Sequence, residues 1–318
     1  MAECIDVMSD ALSALARGEA IVPLRPIMWL PEKVGALGMM PAFLGSKDAV
    51  GLKVITVFPG NHGTRYDSHQ GAVLLFESRN GQLLSIMDAT SITAIRTAAV
   101  SGVATRLLAR RDAKSLAILG SGVQARTHLD AMIHSRPIAS VRVWSRDAGH
   151  ARRFAMRESE RHHIEVVVSG TAEEAVENAD IICTTTSARE PILKGEWISP
   201  GTHVNAVGSS VPFARELDSA AVANARLYAD RRESLLNEGG DFLLAKKEGA
   251  VNDDHIVGEI GDLILGRIDG RRAADEITLF KSLGLAVEDL AAANHIYRKA
   301  AAANAGISVE LGGERDED

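Results

Sequence analysis

The stretch Ser115-Leu116-Ala117-Ile118-Leu119-Gly120-Ser121-Gly122-Val123-Gln124-Ala125 decides the fold. The apolar run 116–119 reads as a short buried strand, and residues 122–133 after it have helical spacing. Gly120, Gly122 and Ala125 fit G-x-G-x-x-A at the turn between them. Gly120 permits the tight turn, Gly122 lets backbone approach a pyrophosphate, and Ala125 lets the helix pack close to the strand. The helix N-terminus favours negative charge. The turn therefore predicts a dinucleotide site with contacts from Gly120, Gly122, Val123 and Gln124.

Beyond the turn the rhythm repeats. Residues 141–144 read as a strand and 148–160 as a helix, and shorter segments come after them at 164–168, 172–177, 180–184 and 203–207. This alternation implies parallel strands joined by crossover helices. The region from about 111 to about 282 is long enough for one doubly wound domain. Its second strand ends Val143-Trp144-Ser145-Arg146-Asp147. An NAD site usually has an acid there for the ribose 2′-OH. Ser145 replaces it, and the Arg146 guanidinium next to it suits a 2′-phosphate. NADP(H) is favoured over NAD(H), which stays possible. The bland alternative is a solvated Arg146 beside an Asp147 that caps the next helix.

Before the turn the pattern differs. Residues 2–16 read as an amphipathic helix ending at Gly18, and Pro23, Pro26, Pro31 and Pro41 punctuate the next stretch of chain. Strand-like runs at 36–43, 50–58, 71–77 and 83–87, with Arg79-Asn80-Gly81 as a hairpin signal, predict an antiparallel sheet. A long buried helix is expected over 91–109, and a further Ala-rich helix over 287–303.

Composition narrows the class. The 318 residues carry a formal net charge of −7, which argues against nucleic acid. No apolar run approaches the roughly 18–20 residues of a membrane span, and the start has no signal-peptide pattern. Cys4 and Cys183 are too few for a disulfide framework or a zinc site, so a reducing cytoplasm is expected. No metal site is expected: His128 and His134 have no partners at ligand spacing, and His162-His163 reads as surface. The acidic run 314–318 reads as a solvated terminus.

Three cations stand apart. Arg96 lies among Ala94, Ile95, Ala98 and Ala99, where a charge must be paired. A substrate carboxylate, a cofactor phosphate or an internal salt bridge would each serve. Lys53 shares a strand face with Ile55 and Val57. Burial there would lower its pKa and make it a usable proton donor, whereas a solvated edge lysine would be inert. Arg25, read alone, belongs to the surface.

Over nearly its whole length the chain resembles the ornithine cyclodeaminase/mu-crystallin family. The resemblance rests on Ser68-His69-Gln70-Gly71, on Ile92-Thr93-Ala94-Ile95-Arg96-Thr97-Ala98-Ala99, and on the Gly120 turn. Asn205-Ala206-Val207-Gly208 and the run from Phe280 to Asp289 extend it. Val22-Pro23-Leu24-Arg25, Gly38-Met39-Met40-Pro41-Ala42 and Gly195-Glu196-Trp197 look closest to the mu-crystallin branch. Family members carry an extra strand before the first helix, so the start is expected to be short.

The resemblance implies an α/β fold in which a Rossmann doubly wound parallel sheet, residues 111–285, is inserted in an α+β domain. That second domain, residues 1–110 plus 286–318, would bind substrate and form a homodimer. The resemblance makes Lys53 and Arg96 catalytic and assigns Arg25, Lys53, Arg96 and Ser210 to a small imino or amino acid. It adds His69, Arg96, Thr97, Thr184, Thr186, Val207 and Ser282 to the cofactor contacts, beside Ser145 and Arg146. Cyclodeaminases of the family place a catalytic Asp just after the Val-Gly pair. Here Ser210 stands there, and a serine without an activator is no carboxylate base. The expectation is NAD(P)H-dependent reduction of cyclic ketimines, of piperideine-2-carboxylate or pyrroline-2-carboxylate type. The alternatives are an alanine dehydrogenase-like amino-acid dehydrogenase, an ornithine cyclodeaminase and a non-catalytic binder of thyroid-hormone-like ligands.

Overall fold

Several element boundaries have a local chemical cause. In the computed structural model, which describes residues 1–61 and 63–311, α1 (Ala2–Ala16) stops at Gly18, whose φ of +76° suits a residue without a Cβ. Strands β1 (Ala20–Ile21), β2 (Ile27–Trp29), β3 (Ala36–Leu44), β4 (Ala49–Val57), β5 (His69–Glu77) and β6 (Leu83–Asp88) come next, then α2 (Ala89–Leu108). The chain continues with β7 (Ser115–Leu119), α3 (Val123–Ser135), β8 (Ser140–Trp144), α4 (Ala148–His162), β9 (Val166–Val168), α5 (Ala172–Val176), β10 (Ile181–Thr184) and β11 (His203–Ala206). The remainder is α6 (Ser219–Ala223), β12 (Arg226–Ala229), α7 (Arg232–Glu238), α8 (Gly240–Lys247), β13 (Ile256–Glu259), α9 (Ile260–Ile264), β14 (Thr278–Lys281) and α10 (Ala286–Ala302). The acidic run 314–318 lies outside the described residues.

The chain forms two compact units. One comprises Met1–Ser9 with Thr97–Gly284, the other Asp10–Arg96 with the described part of Leu285–Asp318. The second holds an antiparallel sheet in the order β1-β3-β4-β5-β6, with β2 also on β3. Along β3 every other residue from Ala36 to Leu44 is buried, the two-residue period of a sheet with one covered face. Helix α10 packs against β3, β4 and β5. The contact is close: a Cβ on Gly51 of β4 would lie 2.6 Å from Leu290 of α10.

The other unit is an eight-stranded sheet in the order β13-β12-β14-β11-β10-β7-β8-β9, and all its pairings are parallel. The chain runs from β7 outward through β8 and β9, then returns to add β10 on the opposite side of β7. Ligands bind at such a switch point, beyond the carboxyl ends of the strands. Gly102, the one interior glycine of α2, answers to packing: a Cβ there would lie 2.8 Å from Ile5 of α1.

The parallel and antiparallel sheets match the α/β class expected from the sequence. Two details differ. Helix α4 extends to His162 and ends at His163 in the left-handed region, so β9 starts two residues later than the sequence pattern suggests. His162 is half-buried rather than a surface residue, with Nε2 3.6 Å from Glu158 Oε2.

Candidate active site

In the antiparallel unit, register places Lys53 between Met40 on β3 and Val73 on β5, on the face that α10 covers. Lys53 is only 3% exposed. The cost of leaving an ammonium there unpaired is several kcal/mol, so an anion must meet it. Its Nζ lies 2.6 Å from Asp289 Oδ2 on α10, and 3.5 Å from Thr93 Oγ1 on α2. Burial pushes the Lys53 ammonium down and the Asp289 charge opposes it, leaving a pKa of about 8. Of the two possibilities, buried donor and solvated edge residue, the buried lysine is the one found.

Arg96, 4% exposed, ends the α2 segment of the same unit. Its Nε donates to Asp289 Oδ1 at 2.8 Å and its Nη1 to Glu288 Oε2 at 2.6 Å. The internal salt bridge, one of the three partners that would serve Arg96, is therefore present. Asp289 and Glu288 lie within the family-like run, but their sequence setting gives them no role. Two acids in the first turn of a helix ordinarily suit its dipole, which hides any other purpose. Arg25 precedes β2. Pro26 O accepts the N–H of Met39, and the next β3 residue, Met40, is the one paired with Lys53. His69 opens β5; desolvation and then the Lys53 charge lower its imidazole.

In the parallel unit, the Gly-rich turn can be tested for a dinucleotide. Gly120 has φ +123°, and a Cβ there would lie 2.7 Å from Thr185 Oγ1, so only glycine fits. A Cβ on Gly122 would meet nothing within 4 Å, so the turn opens outward at that point. Gly122 starts α3 with no side-chain cap, and the first residue, Val123, is exposed. The Gln124 Oε1 atom is buried and lacks a hydrogen-bond partner among the described residues. An uncapped helix start, an open glycine and an unsatisfied buried amide together fit a phosphate-bearing cofactor.

The other residues expected to contact the cofactor, His69 and Arg96 apart, lie in this same unit. Ser145 at the end of β8 accepts a hydrogen bond from Ser121 Oγ at 3.0 Å, and Arg146 is exposed. Asp147 caps α4 through the N–H of His150, as the bland alternative has it. Thr97 is buried on α2, Val207 donates its N–H to Thr184 O, and buried Ser282 donates its own to Ala206 O.

Sequence reasoning missed a buried network at the ends of β10, β11 and β14. Glu216, fully buried, accepts from Thr184 Oγ1 at 2.7 Å, from the N–H and hydroxyl of Thr186, and from Gly208 N–H at 2.8 Å. Lys281 Nζ pairs with Asp241 Oδ2 at 2.8 Å and donates to Gly208 O. Both polar atoms of Gly208 are thus engaged just before Ser210. Ser209 takes a left-handed φ of +62° and its hydroxyl donates to Ala214 O. Buried His128 bonds Gln124 O and Ser101 Oγ, and the described residues contain no metal-binding cluster.

Residues 1–304 match the ornithine cyclodeaminase/mu-crystallin family. The chain belongs to that family. It is 42% identical over 280 residues to the ketimine reductase mu-crystallin of Mus musculus, covering 88% of this chain and 85% of the relative. The Thermococcus litoralis Delta(1)-pyrroline-2-carboxylate reductase, solved with NADH and L-proline, superposes with a TM-score of 0.94. That pair is 41% identical, with 96% and 95% of the two chains covered. An archaeal alanine dehydrogenase dimer with bound NAD gives a TM-score of 0.92 at 32% identity, covering 98% and 94%. Proteins named for different reactions thus share this fold, and the side chains of each site must separate them.

Proposed function

We propose that the chain is an NAD(P)H-dependent oxidoreductase that reduces the C=N bond of cyclic ketimines of α-keto acids. The substrates are of piperideine-2-carboxylate or pyrroline-2-carboxylate type. The observation that carries this reading is the buried Lys53 ammonium, close to neutral in its proton affinity and paired with Asp289 beside Arg96. Ser210 in place of a carboxylate base removes the support for cyclodeamination.

When bound, a reduced nicotinamide supplies the hydride to the imine carbon. Lys53 works at the other end of the bond. The C=N electron pair moves to nitrogen, an N–H bond forms as a Lys53 Nζ–H bond breaks, and a neutral amine remains on Lys53. The product is a secondary amine, and solvent reprotonates the lysine. Lys53 and Arg96 face two carboxylates, so the cluster itself is neutral. An anionic substrate needs a further cation, and in this reading Arg25 is assigned to the substrate carboxylate beside Arg96, whose Nε and Nη1 are already held by Asp289 and Glu288.

Ser145 and Arg146 support a preference for NADPH, because the only acid at that strand end, Asp147, is engaged as a helix cap. His69, Arg96, Thr97, Thr184, Thr186, Val207 and Ser282 complete the cofactor contacts in this reading, and Ser210 contacts the substrate. Residues 1–110 with 286–318 serve as the substrate and dimerisation domain, and 111–285 as the cofactor domain. The exposed apolar strand Ile27–Trp29 supports a homodimer, which light scattering at micromolar concentration would detect. Both cysteines are free, which suits the cytoplasm, and among the described residues no helix is long and apolar enough to cross a membrane.

A turnover assay with both cyclic ketimines, run with NADPH and NADH in parallel, tests the assignment. Pyruvate with ammonia in the same assay tests amino-acid dehydrogenation. Oxidation of cofactor only with pyruvate and ammonia would replace the ketimine reading.

A further inference from the structure

Lys53 has to be charged to give a proton, yet its surroundings oppose charge. Its register neighbours Met40 and Val73 are apolar and buried, and the helix over this face excludes water. The charged and titratable groups that face it come from three elements. Helix α2 brings Arg96, whose positive charge opposes a second cation. Strand β5 brings His69, whose imidazole is lowered by desolvation and by the Lys53 charge. Helix α10 brings Asp289 and Glu288.

Asp289 is bonded to both cations. Oδ2 meets Lys53 Nζ at 2.6 Å, and Oδ1 meets Arg96 Nε at 2.8 Å. Two contacts on opposite oxygens fix the plane of the carboxylate, so it cannot swing away from the lysine. Glu288 Oε2 takes Arg96 Nη1 at 2.6 Å and restrains the guanidinium from the other side. We propose that Asp289 is a positioning residue for the reduction: its carboxylate holds the Lys53 ammonium in place and keeps it charged until the substrate nitrogen takes the proton. This rests on the ketimine reading for the reaction, but not for the state of Lys53.

The balance of effects supports the assignment. Burial is the largest influence on Lys53 and acts against the charge. Asp289 opposes it twice, by its negative charge and by its hydrogen bond, while Glu288 acts more weakly through charge. Removing an opposite charge at this range moves a pKa by roughly 1–3 pH units. Loss of the Asp289 charge should therefore leave Lys53 neutral at physiological pH.

The test uses intact protein labelled with 13C at lysine Cε. The Lys53 resonance is assigned by its absence in Lys53→Met and titrated in the parent, in Asp289→Asn and in Glu288→Gln. The parent midpoint is expected near 8. In Asp289→Asn it should fall by about one pH unit or more, and in Glu288→Gln by less, in the same direction. The alkaline limb of kcat for ketimine reduction should move with it. An unchanged midpoint in Asp289→Asn overturns the proposal, as does an activity loss that is equal at every pH. Should Asp289→Asn fail to fold, the smaller neutral variant Asp289→Ser takes its place, and an unmoved midpoint there would overturn it instead. If the parent reduces no ketimine, the functional reading fails, and the titration still decides the role of Asp289.

Discussion

A single oxygen of Glu216, Oε1, accepts both the backbone N–H and the hydroxyl of Thr186, each at 2.6 Å. The other oxygen takes Thr184 Oγ1 and Gly208 N–H. One buried side chain therefore ties the end of β10 to the turn that leads to Ser210. Burial raises the Glu216 carboxyl, while the Lys281 charge and the threonine hydroxyls pull it back toward the ionised form.

Glu216→Ala should destabilise the protein by about 3 kcal/mol or more, because four donors lose their acceptor inside the protein. Glu216→Gln should cost about 1–3 kcal/mol, since its amide N–H2 faces two donors. Urea unfolding measures both. Midpoints within error of the parent would show that water satisfies these groups.

Arg146→Ala should weaken NADPH binding by roughly 1–3 kcal/mol and leave NADH nearly unchanged, the scale of one charge-assisted contact. Nicotinamide fluorescence titrations give both affinities. Equal kinetics of the parent with the two cofactors would remove the basis for this assignment.

Lys53→Met keeps the aliphatic stem and removes the proton. The kcat for ketimine reduction should drop by roughly 10²–10⁴-fold while NADPH affinity stays within about threefold. The parent rate should also fall as pH rises through about 8, because the active form is protonated and burial has brought its pKa down to that value. A variant that turns over at the parent rate would demote Lys53 to holding the substrate.

Ornithine incubated with NAD should yield neither proline nor ammonia, because Ser210 stands where a carboxylate base is required. Sustained proline formation would mean that another group supplies the base, and the reductase assignment would lose its main negative argument.

The start of the parallel unit was readable from sequence because its constraints are local. A strand, a Gly-rich turn and a helix lie within one short stretch, and Gly120 shows why in its φ. The alternation of β3, β4 and β5 was readable for the same reason. The three strands β12, β13 and β14 escaped, since four-residue strands such as Thr278–Lys281 and Ile256–Glu259 end in charges that mask a buried run. Lys53 and Arg96 could be suspected from their apolar neighbours. Their partners could not, because Asp289 and Glu288 meet them only through packing of α10 on a sheet far away in the chain. Glu216, Asp241 and Lys281 were hidden likewise: a charge compensated by tertiary contact carries no mark in its own neighbourhood.

The docking of α10 also orders events during synthesis. Lys53 and Arg96 leave the ribosome early, whereas Asp289 emerges 193 residues after Arg96. Until then β4 holds Lys53 on a face the sheet cannot yet close, with the Arg96 cation of α2 beside it, and unpaired charges resist burial. The parallel unit can settle first, while this sheet must wait for α10. A chain halted after Gly284 would lack the anions that let the sheet bury Lys53, so the emergence of α10 and the closing of the sheet become one step.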